Sequence, residues 1–225
     1  VSDDFRLAVT FGPDQPQRFL TAWLGPPARD APKSAGRDLP AALAEWQRQA
    51  GRWDSPVMHQ NHVPARRQMD GEMLLVGVEN QGVWLWGVRD GGDNPLVWER
   101  ENKPAADWTQ TGERLDEFLW HFTLVDAVFG TRFGLAANDV SSTGLAQLAS
   151  AWSPVNVKPW RWPCPRHILW AWDGLLAWTM VNNRADSPVT DASTYSIFVG
   201  ARSNQDLVHV DDSSIAWDWD SRNEP

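Results

Sequence analysis

Residues 77–89 read GVENQGVWLWGVR. Val83, Trp84, Leu85 and Trp86 stand in an unbroken apolar row, so both faces of any strand they form need shelter from water. A sheet with one wet face would alternate apolar with polar residues. Asn80, Gln81 and Gly82 supply a turn, which makes 73–79 and 83–89 antiparallel neighbours. A third strand, 96–100, follows a turn rich in Gly, Asp and Asn at 90–94, and connections this short force a meander. The second face of that meander is covered by more of the same chain or left as a docking wall, and the apolar row alone does not decide which.

Outward from this meander the chain reads as helices. Asp14 is placed to cap a first helix with Pro16 in its opening turn, Phe19, Leu20 and Trp23 on its apolar stripe, and Gly25-Pro26-Pro27 as its stop. Asp38 is placed to cap a second, LPAALAEWQRQAG (39–51), closed by Gly51. The strongest helical pattern spans 112–129, where Leu115, Phe118, Leu119, Phe122, Val125 and Phe129 recur at helical spacing. Glu113, Asp116 and Glu117 favour its N-terminal dipole, and Gly130 follows it. A further helix from Ser142 carries Leu145, Leu148, Ala149 and Trp152 and ends before Pro154. The last third is strand-like: 168–172, 175–182, 194–201, 206–210 and 214–219, with Asp173-Gly174 as a tight hairpin turn. Helices, then strands, a helix, and strands again predict an α+β fold. The proline-rich segment 153–166 is the best candidate for a joint within a single domain, 1–225, whose part from 155 on is a strand-rich extension.

Sixteen of the 225 residues are Trp and only one is Tyr, so a core or cleft is built around indoles. The formal net charge is −9, and from Ile168 to the C-terminus nine acids face three arginines. This acidity argues against a phosphate-backbone binder and suits a basic partner. Cys164 is the single cysteine, which rules out an internal disulfide and fits a reducing compartment. The first residues lack the basic, apolar and small-residue succession of a leader, and the longest apolar runs fall well short of about 20 residues. The expectation is a cytoplasmic protein that neither crosses a membrane nor binds nucleic acid.

Catalytic signatures are absent: no G-x-S-x-G elbow, no H-E-x-x-H, no phosphate loop and no G-x-G-x-x-G after a strand. His59-x-x-His62 and Cys164-x-x-His167 have the residue types of a zinc site, but they stand about a hundred residues apart, and loop histidines explain them better. Asp90 and Asp93 sit in a glycine-rich turn, and Asp211 and Asp212 in another, where carboxylates serve backbone geometry. Glu79 at a strand end could point into a cleft as a catalytic acid. The pairs in PWRWP (159–163), LWAW (169–172) and AWDWD (216–220) each set two Trp on one side of an extended strand, as a sugar-binding platform would, although core packing explains such rows better. No metal and no cofactor are expected.

Three stretches, DLPAALAEWQRQAGRW (38–53), MLLVGVENQGVWLWGV (73–88) and DNPLVWERENKPAADWTQTGERLDEFLWHF (93–122), resemble the SUKH superfamily, which includes a fungal cell-wall assembly regulator and bacterial immunity proteins against polymorphic toxins. The resemblance rests on Leu39-Pro40 opening a helix, Gly51 closing it, Asn80 and Gly82 in the meander, Pro95–Trp98, and Leu115 to Leu119. It covers about residues 38–130. It implies a twisted antiparallel sheet with helices packed on one face, and no catalytic apparatus.

These readings set one expectation: a non-enzymatic immunity protein that occludes a basic secreted toxin. Trp84 and Trp86 are the candidate apolar anchors, and Asp90, Asp93, Asp211, Asp212 and Asp218 the candidate acidic contacts. The alternatives are a scaffold or regulatory domain for a host protein or peptide, and a carbohydrate-binding module.

Overall fold

Trp84, Leu85 and Trp86 of the apolar row do lie in a strand, whose neighbours pair as the turns dictate, whereas Val83 stays outside it and is exposed. The computed structural model describes residues 5, 8–12, 14–32, 38–89, 92–182, 188–190, 192–211 and 213–223. Among them lie two antiparallel sheets with accompanying helices, an α+β fold. The chain divides into two compact units, residues 13–126 and residues 1–12 with 127–225. The proline-rich segment 153–166 therefore lies inside the second unit.

In the first unit, β1 (Met69–Asp70), β2 (Met73–Val78), β3 (Trp84–Arg89), β4 (Leu96–Glu101) and β5 (Thr109–Arg114) form one sheet in sequence order. Gly82, at φ 71°, provides the left-handed turn residue between β2 and β3. Cross-strand pairing sets Trp86 opposite both Gly77 and Glu99, and Val88 opposite both Leu74 and Val97. That face is closed by the helix Leu115–Gly130. Trp86 packs 5.9 Å from Phe118 and 5.1 Å from Phe122, and the two phenyl rings lie 5.1 Å apart. The helix begins at Leu115, three residues later than its sequence pattern suggests, because 109–114 is taken by β5.

Two shorter helices complete this unit. The first, α1 (Gln15–Leu24), buries Phe19 and Leu20; the second, α2 (Ala41–Ala50), buries Leu43 and Trp46. Asp14 stands at the N-cap of α1 as expected but, at φ 60°, makes no side-chain capping bond, and Pro40 rather than Asp38 stands at the N-cap of α2. The long helix Leu115–Gly130 is α3. The Trp46 indole N–H donates to Thr123 Oγ1 at 3.0 Å, which ties α2 to α3. Asp126 Oδ1 accepts the main-chain N–H of Gln60 and Asn61, and its Oδ2 that of His59, at 2.6–3.1 Å. The irregular segment 59–61 is thereby held to the helix. Burial pushes the Asp126 carboxyl above its ordinary value against the pull of those three amides.

In the second unit, β6 (Phe133–Ser141), β7 (Ser153–Pro154), β8 (His167–Trp172), β9 (Leu175–Val181), β10 (Thr194–Ala201) and β11 (Trp219–Asp220) form a sheet of order β11-β6-β10-β9-β8-β7. The Asp173-Gly174 turn joins β8 to β9 with Trp172 opposite Leu175. One face carries Leu135, Ala137, Ala177, Ile197 and Val199, packed with Leu148 of α4 (Ser142–Ala149), Trp152, Leu207 and Val210. On the other face Phe129 meets Trp178 edge-on at 4.9 Å and Phe198 at 5.0 Å, and Trp162 adds a contact to Trp178 at 5.7 Å.

Two strand expectations fail here. Residues 204–207 are a 3-10 turn that runs into α5 (Val208–Asp211), and only Trp219–Asp220 of the last segment pairs as a strand. Leu207 and Val210 are buried at helical spacing, and Ser203 and Asp206 form a reciprocal capping box at the start of the turn. No helix among the described residues is long and apolar enough to cross a membrane.

Gly200 shows how tightly this sheet is covered. A Cβ there would stand 2.7 Å from the Val128 carbonyl oxygen and 2.8 Å from its Cα, both main-chain atoms that cannot step aside. Gly200→Ala should lower stability by about 1–3 kcal/mol, seen as a lower urea midpoint with an unchanged slope.

Candidate functional site

The face of the first sheet opposite α3 differs in kind. Its side chains come from the alternate positions of the same strands: Met73 pairs with Arg89, Gly87 with Trp98, Leu85 with Arg100, Leu96 with Arg114, and Trp98 with Gln110. Gly87 leaves a gap, and the Trp108 ring fills it, since a Cβ at 87 would lie 3.1 Å from that ring. The Arg100 guanidinium stacks over Trp108 with its carbon 5.1 Å from the ring centroid, and Arg89 over Trp98 at 4.6 Å. Two arginine–indole pairs thus stand side by side on one half-exposed sheet face, next to a hollow of about 600 Å³ lined by Asp70, Met73, Arg89, Arg100, Lys103 and Trp108.

The two arginines are held differently. Arg100 donates from Nε and Nη2 to Asp70 Oδ2, at 3.2 and 2.6 Å, and from Nη1 to the carbonyls of Glu101 and Lys103, at 2.7 and 3.2 Å. Its side chain is only 12% exposed, so it acts as the post that fixes the 101–108 loop and the Trp108 ring. Lys103 pairs with Glu101 beside it. Arg89 is exposed, and among the described residues it stands in no ion pair; its partner is the face of Trp98. Leu96 on the same face is 38% exposed.

The buried carboxylates of the first unit are tied into its architecture. Glu79 Oε2 accepts the N–H of Gln81 at 2.9 Å and of Val83 at 3.3 Å, closing the β2–β3 turn instead of pointing into a cleft. Glu99 Oε2 accepts the Trp84 indole N–H at 3.2 Å, and Glu113 lies 3.0 Å from His121 Nδ1 in the interior. Asp126 holds the three amides already described. In the second unit the Arg222 guanidinium, bonded to Asp220, holds that carboxyl below its usual value.

The residues singled out from sequence are scattered by this structure. Trp86 is fully buried against Phe118 and Phe122, and Trp84 is 8% exposed with its N–H given to Glu99. Both indoles are core, because strand alternation turns them toward the helix. Asp93 is exposed in the first unit, where its carbonyl accepts the Ala42 N–H. Asp218 is exposed in the second unit, where Oδ2 accepts the main-chain and side-chain N–H of Asn138 at 2.7 and 3.1 Å. Asp90, Asp212 and the side chain of Asp211 lie outside the described residues.

The tryptophan pairs pack instead of forming open ladders. Trp160 is fully buried, Trp170 and Trp217 pack against the core of the second sheet, and Trp219, although 41% exposed, lies across Gly134. His62 pairs its backbone with Val78, and His167 Nδ1 lies 2.8 Å from the Cys164 carbonyl. Among the described residues no group of three or more His, Cys, Asp or Glu is arranged to hold a metal ion.

Trp98 and Arg100 look ordinary in LVWERE (96–101), and nothing local marks this candidate face beyond the alternation, which sets Leu96, Trp98 and Arg100 on one side of β4. No protein-family model, no curated protein and no solved structure matches the chain.

The contrast between the two arginines is measurable. Arg100→Ala should cost about 2 kcal/mol, because it strips charged hydrogen bonds from a part-buried carboxylate and two carbonyls. Arg89→Ala should cost less than about 1 kcal/mol, the worth of an exposed cation–π contact. Urea unfolding of both variants gives the comparison, and equal losses would refute the division of roles.

Proposed function

We propose that the chain is a non-enzymatic, protein-binding immunity protein that acts in the cytoplasm and neutralises a bacterial polymorphic toxin by occluding it. The observation that carries this reading is the half-exposed face of the first sheet, where Arg89 lies over Trp98 beside Leu96. Tryptophan and arginine dominate the binding energy of protein interfaces, because they combine large buried area with directed hydrogen bonds. The engagement of the buried carboxylates with backbone, indole and histidine partners supports a binding role over a hydrolytic one. The SUKH-like order of motifs over 38–130 supplies the toxin class, and the net charge of −9 would draw a basic toxin toward the protein.

A scaffold or regulatory domain would use the same face, so the class of partner has to be tested directly. The chain is co-expressed with the product of the neighbouring reading frame, whose toxicity is first checked by growth arrest on its own, and growth is followed. Protection by the native chain is expected. Trp98→Ala should weaken toxin binding by about 30-fold or more, as loss of an interface anchor does, with circular dichroism confirming the fold. Growth arrest despite abundant folded protein would exclude the immunity reading.

A further inference from the structure

We infer that the Arg89–Trp98 face receives an acidic segment of the protein partner that sets an apolar side chain between two carboxylates. This inference rests on the protein-binding reading above and names the chemistry of its contact. Pairing places Leu96 opposite Arg114 on β5, and the register of Val88 with Val97 brings Arg89 of β3 to the other side of Leu96. An exposed apolar side chain is thus flanked by two exposed arginines, two strand spacings or about 10 Å apart. Trp98 lies two positions along β4, on the same face.

Both guanidiniums have donors to offer. Arg114 gives one N–H to the Asn94 carbonyl at 3.0 Å, and Arg89 sits over the Trp98 indole, its guanidinium carbon 4.6 Å from the ring centroid. Among the described residues neither stands in an ion pair, whereas Arg100 nearby has all its bonds made to Asp70 and two carbonyls. A planar guanidinium stacked on an aromatic ring still presents its edge, and a carboxylate fits that edge with two parallel bonds. Glu117, one turn further along, accepts the Arg114 main-chain N–H at 2.9 Å.

The charge of the whole molecule and the charge of this face act at different ranges. A net charge of −9 governs approach over distances up to the Debye length, about 8 Å at physiological salt. At contact the local pair of arginines decides which side chains fit. The same net charge opposes a nucleic-acid backbone, which would otherwise suit a surface of arginine and indole. An acidic peptide segment remains the occupant that fits both ranges, carried on a partner whose overall charge is positive.

The test uses the full chain and two labelled synthetic peptides, a Glu-Leu-Glu-Phe repeat and its Lys-Leu-Lys-Phe counterpart, with fluorescence anisotropy as the readout. The acidic peptide should bind and the basic one bind at least about tenfold more weakly. Arg89→Glu should weaken the acidic peptide about tenfold or more and Arg114→Glu by a similar factor. Arg18→Glu on α1 should leave it unchanged, and circular dichroism checks each variant's fold. Raising the salt concentration should weaken binding of the acidic peptide. Equal binding of both peptides, insensitivity to Arg89→Glu, or no binding of the acidic peptide near millimolar concentration would each overturn the inference. Displacement of the acidic peptide by a single-stranded oligonucleotide of equal charge, at equal or lower concentration, would also overturn it. Toxin protection is not read in this titration. A chain that protects cells yet fails to discriminate the peptides keeps its proposed function and loses this contact.

Discussion

The first unit is organised by one aromatic contact, the Trp86 indole set against Phe118 and Phe122 across Gly77. A Cβ at residue 77 would stand 3.1 Å from the Phe118 ring and 3.3 Å from both the Phe122 and Trp86 rings. The glycine is therefore the space in which three rings meet. The register between β2 and β3 shifts between Leu75 and Gly77, so the bulge brings the side-chain-free position under the rings. Trp86, Phe118 and Phe122 are fully buried, and removing water from three large aromatic surfaces is worth several kcal/mol. Once that face is fixed, strand alternation sends Leu85, Gly87 and Arg89 to the other, and the composition of the exposed face follows.

What could be read from the sequence follows the strength of local patterning. The β2–β4 meander, the β8–β9 hairpin and α3 carry long apolar repeats between strong turn residues, and they are where the sequence places them. β5 and β6 were hidden for opposite reasons. The segment TQTGER (109–114) is polar because it is a sheet edge in which only Glu113 is buried. The segment FGLAANDVS (133–141) interrupts its alternation at Asp139, which takes φ 55°. In NQDLVHVD (204–211) the alternation of Leu207, Val208 and Val210 imitates a strand, yet Leu207 and Val210 are buried while Val208 is 55% exposed, as one turn of helix requires. The candidate site was illegible for a different reason. Its residues gain meaning only when β3, β4 and the 102–108 loop are side by side, and no local pattern states which of two tryptophan-bearing faces is covered by α3.

The sheet edges narrow the ways in which a partner can dock. In the first sheet β1 has two residues, and β5 is broken by a register shift that contains Gly112 at φ 82°. In the second sheet β7 and β11 have two residues each, and β7 ends in Pro154, which has no N–H to offer. Short strands, bulges and proline at edges prevent the addition of a foreign strand. A protein blunted at its edges in this way offers side chains on sheet faces for recognition, in place of free backbone groups.

The same pairing of arginine with tryptophan serves two purposes within a few residues. Arg100 is spent on structure: four hydrogen bonds to three acceptors hold it, and the stacked Trp108 ring caps Gly87. Without that post the 101–108 loop would have no charged tie to β1, and the gap above Gly87 would open. Arg89 lies over Trp98 with a leucine exposed beside it. Stacking on the ring restricts the long side chain before any partner arrives, which lowers the entropy lost on binding. A guanidinium held over a ring beside an exposed leucine is a preorganised contact, and Arg100 adds to it by keeping the neighbouring Trp108 indole in place.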